Sequence, residues 1–387
     1  MPAAQPREVE QSAGPTSYQA RDIRHERLLM RLFQSRIIGP LLRRVHGPQQ
    51  IVEMGMGFWS SRLILTAVEY GVFTKLAEGP MTRAELTEAF GWHPRAAGDA
   101  LDALVALRLL RRDRSGHYSN TLRSATFLDR AKPSYAAGLM ELGSKRLYDL
   151  WADLPQLLRT GRPAAQEGQE RAEFFPALYR DEEAMREFLT GMTGVSTGEA
   201  TLLAARFPWK RFGTFVDIGT AQGALPVRVA LTHPHLRGAG YDFAPVQPVF
   251  EEYVATFGLS DRLSFIAGDC LHEPLPSADV LSFGHVFHGL NRAVRNELMS
   301  KAYTAIPPGG AVIVYDAMIR PRRRRDYASL LSSLNVMLET REGYESSVDE
   351  CIEMFRAHGF VRVKARHLIG PTSAVFGFKP GRLPRSG

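Results

Sequence analysis

Three acids and two histidines stand out by type and spacing. Asp217 opens the segment Asp217-Ile-Gly219-Thr-Ala221-Gln-Gly223, Asp242 follows 25 residues later in GYDF, and Asp269 sits in AGDC. Each acid ends a short apolar run of strand length. Glycine allows a tight turn and lets a ligand approach the backbone closely. The helix after such a turn can offer its N-terminal amides to a negative group. A carboxylate ending the second strand of such a unit is placed to accept bonds from ribose hydroxyls, and Asp269 could face an adenine amine. No Walker lysine follows the loop, which argues against a nucleoside triphosphate, and the loop does not match the GxGxxG of dinucleotide sites. His285 and His288 are three apart at another strand end. That spacing hints at a metal, but no third ligand is evident in the sequence, and no metal is assigned.

The elements that must position these residues alternate from about position 212 onward. FVDIG, GAGYDF, LSFIAGD, DVLSFGH and AVIVYDAMI read as strands, with LPVRVALTHP, VFEEYVATFG and RNELMSKAYTAI as helices between them. This is an α/β pattern, and it predicts a parallel, Rossmann-like doubly wound sheet with helices on both faces. FVRVKARHLIG and SAVFGFK, joined by Pro371-Thr372, add an antiparallel edge hairpin.

The preceding chain reads differently. Residues 1–24 have the composition of a disordered tail. Apolar residues at 28–38 and a stretch over 58–76 have helical spacing. Thr82 is placed as an N-cap with Glu85 as its capping-box partner, and Gly91 and Pro94 separate that helix from AAGDALDALVALRLL. A hairpin turning at Ser115-Gly116 follows. Helix, turn, helix and hairpin make a winged-helix arrangement inside a mostly helical domain over 25–180. Residues 132–160 continue helical, GRPAAQEGQERAE reads as loop, and a helix over 181–207 leads into the domain at 181–387.

With 387 residues and 44% hydrophobic content, the chain is neither disordered nor a single small core. Two cysteines exclude a disulfide framework and any Cys-based zinc or iron–sulfur site. The N-terminal residues lack the apolar region of a secretory signal, and no run reaches the roughly 20 residues of a membrane helix. The expectation is a cytoplasmic protein with no membrane partner. The net charge of +7 is local, because Arg320, Arg322, Arg323, Arg324 and Arg325 crowd one loop. Such a loop could attract an acidic acceptor or carrier protein; the plainer reading is a solvated loop. A DNA-binding regulator would use the winged helix, where Arg108, Arg111, Arg112 and Arg114 lie. Its presumed recognition segment, HPRAAGDALDALVAL, is Ala- and Leu-rich with few base-reading groups. It reads as a packing helix, and no nucleic acid is expected.

FVDIGTAQG, GYDFAP, FIAGDC, FGHVFHGL and PPGGAVIVYDAMI, in this order, resemble the class I S-adenosylmethionine-dependent methyltransferases. More narrowly, the chain is similar over residues 28–380 to the two-domain small-molecule O-methyltransferases of plant caffeate and bacterial secondary-metabolism type. The resemblance implies S-adenosyl-L-methionine as cofactor, held by Asp217, Gly219, Gly223, Asp242, Asp269, Cys270, Gly284 and His285. It implies in-line attack on the sulfonium methyl by a hydroxylated aromatic or polyketide-like acceptor. In that family the general base is the His of a His-Asp-Trp motif; here the matching segment is His288-Gly289-Leu290. The resemblance places two acids around His288: Asp316 as one, and Glu345 as the other, with Glu339 competing. Met192, Met318 and Met337 are its best matches to acceptor-pocket positions, while Met140, Trp151, Phe175 and Phe188 could line the pocket or pack the core. A homodimer through the N-terminal domain is implied as well. Transfer to oxygen is the family default; transfer to carbon or nitrogen, or another reaction on the same fold, stays open.

Overall fold

The computed structural model describes residues 48–132, 135–162, 178–321, 323–340 and 342–382. The expected tail at 1–24, the helical pattern at 28–38, most of the GRPAAQEGQERAE loop and Phe175 lie outside these. By internal contacts the chain forms two compact units, Met1–Ile64 and Leu65–Gly387. The described part of the first holds helix α1 (Pro48–Gly55) and the start of α2 (Gly57–Glu69). Their apolar side chains face solvent, with Ile51 at 76%, Met54 at 82% and Trp59 at 65% exposure.

The winged unit forms as its local signals demand. A left-handed Gly71 separates α2 from the short α3 (Val72–Lys75), so the helical stretch over 58–76 is broken. Strand β1 (Met81–Thr82) leads into α4 (Arg83–Phe90). Thr82 Oγ1 accepts from the Glu85 amide, and Glu85 accepts from the Thr82 amide at 2.7 Å. Gly91, left-handed, caps α4 and Pro94 starts α5 (Pro94–Ala106). Strands β2 (Leu110–Arg112) and β3 (His117–Asn120) turn on the Asp113 carboxylate, which accepts from the Ser115 and His117 amides. The sheet order is β1-β3-β2. Helix α5 buries Ala97, Leu101 and Leu104, so it is a packing helix. Arg112 is tied to Asp102 at 3.2 Å.

Helix α6 (Leu122–Phe127) ends this unit. The helical stretch expected over 132–160 is segmented. It comprises α7 (Gly138–Leu142), a π turn (Gly143–Leu147), α8 (Tyr148–Leu150), a 3₁₀ turn (Trp151–Asp153) and α9 (Leu154–Thr160). The 25-residue α10 (Glu182–Arg206) follows, capped by Asp181.

The large sheet contains β4 (Thr214–Ile218), β5 (Arg237–Asp242), β6 (Leu263–Ala267), β7 (Val280–Gly284), β8 (Ala311–Ala317), β9 (Val361–Ile369) and β10 (Thr372–Phe378). Their order is β6-β5-β4-β7-β8-β10-β9, with β10 antiparallel to both neighbours. This is the doubly wound sheet with an antiparallel edge hairpin. Helices α11 (Ala224–Thr232), α12 (Gln247–Thr256), α13 (Arg292–Ala305) and α15 (Val348–Ala357) cover its faces, and α14 (Tyr327–Glu339) follows β8. Every residue of β8 and β10 is buried, as central strands covered on both faces require. One apolar layer joins Leu203, Phe207 and Trp209 to Phe215, Phe250 and Phe376; the other joins Ile218 and Phe283 to Leu298 and Phe355. Each large side chain so buried contributes about 1.5–3 kcal/mol. The chain starts the sheet at β4, winds outward to β6, then returns to β7 on the other side of β4. That reversal opens a crevice at the carboxyl ends of the strands, where such sheets bind ligands.

Candidate active site

The loop after β4 is built on backbone conformations few residues accept. Gly219 has φ 71° and a Cβ there would meet Val286 Cγ2 at 2.7 Å. Gly223 caps α11 at φ 94°. Ala221 also lies in the left-handed region, at φ 50°, an uncommon place for a residue with a side chain. Its amide donates to Asp242 Oδ2 at 2.9 Å, and the Phe243 amide donates to Oδ1 at 2.9 Å. The β5 carboxylate therefore holds the β4 loop in shape. Burial pushes the Asp242 carboxyl up to about 6 despite these two bonds. Asp217 accepts from Ser282 Oγ at 2.7 Å across the β4–β7 pairing, and burial raises its carboxyl to about 7.

These groups line a cavity of about 650 Å³, a size that suits a small-molecule ligand. Asp217, Gly219, Asp242, Asp269, Cys270, Gly284 and His285 all reach its wall, whereas Gly223 shapes the loop from behind. Asp269 Oδ1 accepts from the Leu271 amide at 2.8 Å and its Oδ2 faces His272 Nδ1 at 2.7 Å. Burial drives the Cys270 thiol up to about 12, so it is a neutral wall group and not a nucleophile. Tyr179, edge-on to Phe243 at 5.7 Å, also lines the cavity; nothing in its sequence context marked it.

His288 sits in the 3₁₀ turn after β7; Val286, Gly289 and Leu290 around it line the cavity, whereas His288 itself is not part of the wall. Its Nδ1 is 3.3 Å from Glu345 Oε1 and 3.7 Å from Asp316 Oδ1. Asp316 is the penultimate residue of β8, and its short side chain does come within range. Glu345 is the acid brought to the histidine; Glu339 instead accepts from Asn335. Ser332 Oγ donates to Glu345 Oε1 at 2.8 Å, and the Glu345 amide donates to Ser333 Oγ at 3.3 Å. Burial raises the Asp316 carboxyl to about 6, opposed by His288 and reinforced by Glu345. A carboxylate only accepts, so the His288 proton belongs on Nδ1 and the lone pair on Nε2.

Two buried groups that local spacing did not reveal hold this cluster. Arg295 on α13 is 2% exposed. Its guanidinium donates to the carbonyls of His288, Leu290 and Tyr344 and to Ser346 Oγ. It thereby pins the histidine turn to the segment carrying Glu345. Glu199 on α10 is 4% exposed and accepts from His285 Nε2 at 2.7 Å and from Thr372 Oγ1. Burial alone would lower the His285 imidazole, but Glu199, Asp316 and Glu345 together outweigh it and hold His285 up to about 9. His285 itself adopts φ 55°. Its ring and that of His288 are 5.8 Å apart. Asp316 Oδ1 is thus the third ligand-type group that the two histidines lack in sequence, 3.9 Å from His285 Nδ1.

Of the three methionines, Met192 lines the cavity beside Phe188. Met318 does not: it is 1% exposed and packs in the apolar layer under the sheet, because the strand-end position points it inward. Met337 is half-buried on α14 and lies outside the cavity wall. Trp151 Nε1 donates to Asn335 Oδ1 at 2.9 Å, and Met140 is exposed. In the basic loop, Arg320 is clamped to the buried Asp326 at 2.7 Å, while Arg323 and Arg324 are exposed.

The O-methyltransferase domain family matches residues 151–361, and the O-methyltransferase dimerisation domain family matches residues 52–130. The tetracenomycin polyketide synthesis 8-O-methyl transferase TcmO of Streptomyces glaucescens is 39% identical over 87% of this chain and 98% of its own length. The N,N-dimethyltransferase OxyT of Streptomyces rimosus is 34% identical over 81% of this chain and 90% of its own. Human N-acetylserotonin methyltransferase, solved in complex with S-adenosylmethionine, superposes with a TM-score of 0.80 at 25% identity, covering 87% of this chain and 98% of that one.

Proposed function

Because this chain belongs to the O-methyltransferase family and takes its methyl group from S-adenosylmethionine, we propose that it methylates a hydroxyl of an aromatic, polyketide-type acceptor with His288 as general base. The observation that carries this reading is the orientation of His288: its Nδ1 is held by Glu345 at 3.3 Å, which leaves Nε2 free to take a proton. Two buried carboxylates and an open backbone loop fit a nucleoside that carries positive charge. In this reading Asp242 accepts from the ribose hydroxyls and Asp217 balances the cationic end. The bound donor supplies an already activated sulfonium methyl, so orientation contributes much of the rate. The protein's remaining task is the phenol proton. His288 Nε2 accepts it, and Asp316 and Glu345 stabilise the imidazolium that results.

The polyketide acceptor class is supported by the 39% identity with TcmO. Transfer to nitrogen is the second reading, favoured by the 34% identity with an N,N-dimethyltransferase. The dimerisation domain at 52–130 supports a homodimer. Among the described residues no helix is long and apolar enough to cross a membrane. We place the protein in the cytoplasm, and its dimerisation and capping part at 25–180 ahead of the catalytic part at 181–387.

The test is methyl transfer from labelled donor to parallel panels of polycyclic phenols and aromatic amines. Phenol methylation in the wild type, lowered about 10²–10⁴-fold in His288→Ala at unchanged donor affinity, is the expected outcome. Methylation confined to amines would replace this reading with the second. An unchanged rate in His288→Ala would remove the base role.

A further inference from the structure

We propose that His285, His288, Asp316 and Glu345 form a binding site for zinc, and that zinc bound there shuts the enzyme off by reversing the tautomer of His288. One ligand atom from each of His285, His288 and Asp316 lies within 4.8 Å of the others. The pairs flanking the centre are closer: 3.9 Å from His285 Nδ1 to Asp316 Oδ1, 3.7 Å from His288 Nδ1 to the same oxygen, and 3.3 Å from His288 Nδ1 to Glu345 Oε1. Bonds of about 2.0–2.2 Å in a tetrahedral shell put neighbouring ligands roughly 3.3–3.5 Å apart. The pairs with Asp316 and Glu345 need movements of a few tenths of an ångström, while the two histidines, within 4.8 Å, close by up to about 1.4 Å.

Two further features show that the site is built for a cation. Asp316 Oδ1 and Glu345 Oε2 are buried and have no hydrogen-bond partner in the protein. Buried carboxylate oxygens are costly unless a positive group satisfies them. The supporting groups are also in place. A metal-ligating imidazole usually donates its other N–H to a carboxylate, which fixes the tautomer and aims the lone pair. His285 donates Nε2–H to Glu199 at 2.7 Å, and Thr372 holds Glu199 from the far side. That leaves His285 Nδ1 facing Asp316 at 3.9 Å, and zinc bound there releases the Nδ1 proton to solvent. The left-handed backbone of His285, at φ 55°, turns the ring toward this centre.

The donor set selects the ion. Two imidazole nitrogens with carboxylates suit zinc and its borderline neighbours, whereas magnesium prefers an all-oxygen shell and keeps its waters. The inhibition rests on the base role of His288; the binding does not. Zinc on His288 Nδ1 displaces the proton from that nitrogen and leaves it on Nε2. The face that must accept the phenol proton then already carries one.

The experiment is calorimetric titration of the full-length, chelator-treated protein with zinc chloride and, in parallel, magnesium chloride. One zinc per chain with micromolar or tighter affinity, and no magnesium heat, is expected. Asp316→Asn and His285→Gln should each weaken zinc at least tenfold. Glu199→Gln should weaken it about 10–100-fold through His285 alone. A cooperative thermal melt with wild-type circular dichroism certifies that each variant is folded. Wild-type protein titrated with cobalt(II) provides a measure that needs no variant, because a four- or five-coordinate site gives intense visible bands and an octahedral one does not. No zinc heat in the wild type overturns the site. So does zinc affinity unchanged in the folded Asp316→Asn and His285→Gln proteins, which would assign it to an adventitious surface histidine. Zinc bound one per chain while phenol methylation proceeds undiminished would leave the site standing and overturn both the inhibition and the base role of His288.

Discussion

Asp217 and Asp242 are nearly buried acids at the wall of the ligand cavity. Asp217 is 3% exposed and its pKa rises from 3.8 to about 7 through burial. A carboxyl whose folded pKa is raised binds its proton more tightly in the folded state. Its contribution to stability is therefore present at acid pH, below the unfolded value of 3.8, and is lost as pH climbs through about 7. Asp217→Asn should melt higher than the wild type without cofactor, with the gap widening from about pH 5 to pH 8. The same variant should bind S-adenosylmethionine at least tenfold more weakly. Calorimetry near pH 6.5 in buffers of different ionisation enthalpy should find proton release on cofactor binding, reduced in Asp217→Asn. Equal release in both proteins would mean that another group titrates.

Two short segments carry the chemistry, and each is held by a neighbour remote in sequence. The β4 loop needs Gly219, where φ is 71° and a Cβ would strike Val286 at 2.7 Å. Gly219→Ala should cost about 1–3 kcal/mol and abolish tight cofactor binding. Gly258→Ala is the control, with φ 66° but nothing within 4 Å, and should leave cofactor affinity unchanged. The 3₁₀ turn of His288 and the strand of chain around Glu345 are joined by the Tyr344 amide, which donates to the His288 carbonyl at 2.8 Å, and by Arg295. Arg295→Met should lower kcat about 10–100-fold by letting Glu345 drift from His288. The dissociation constant for S-adenosylmethionine should stay within about twofold, because Arg295 itself is not part of the cavity wall. An equal loss in both would make Arg295 a fold residue.

At the scale of the whole molecule, the sheet's reversal at β4 and β7 sets the ligand crevice, and the match of residues 52–130 to a dimerisation domain supports a second copy of the chain. Trp59, Met54 and Ile51 are 65–82% exposed on α1 and α2, more apolar surface than solvent-facing helices ordinarily show. Light scattering should give twice the chain mass, and Trp59→Asp should shift it toward one chain. A wild-type monomer at micromolar concentration would leave the dimerisation domain without its assembly.

Sequence alone determined whatever depends on neighbours a few residues apart. The Thr82–Glu85 capping box, the Gly91 stop, the strand–helix alternation after 212 and the glycine loop at 219–223 are local, because helix caps and strand periods are settled within one turn or one pleat. The motifs around Asp217, Asp242 and His288 were legible for the same reason: each is a strand followed by its own turn. Folding decided the rest. Glu345 meets His288 across 57 positions, Glu199 meets His285 across 86, and Thr372 meets Glu199 across 173. No periodicity links such residues. The choice between Glu345 and Glu339, the inward turn of Met318 and the arrival of Asp316 between two histidines all follow from which strands pair. Strand pairing is set by the burial of interior strands such as β8 and β10, a property of the assembled core and of no single segment.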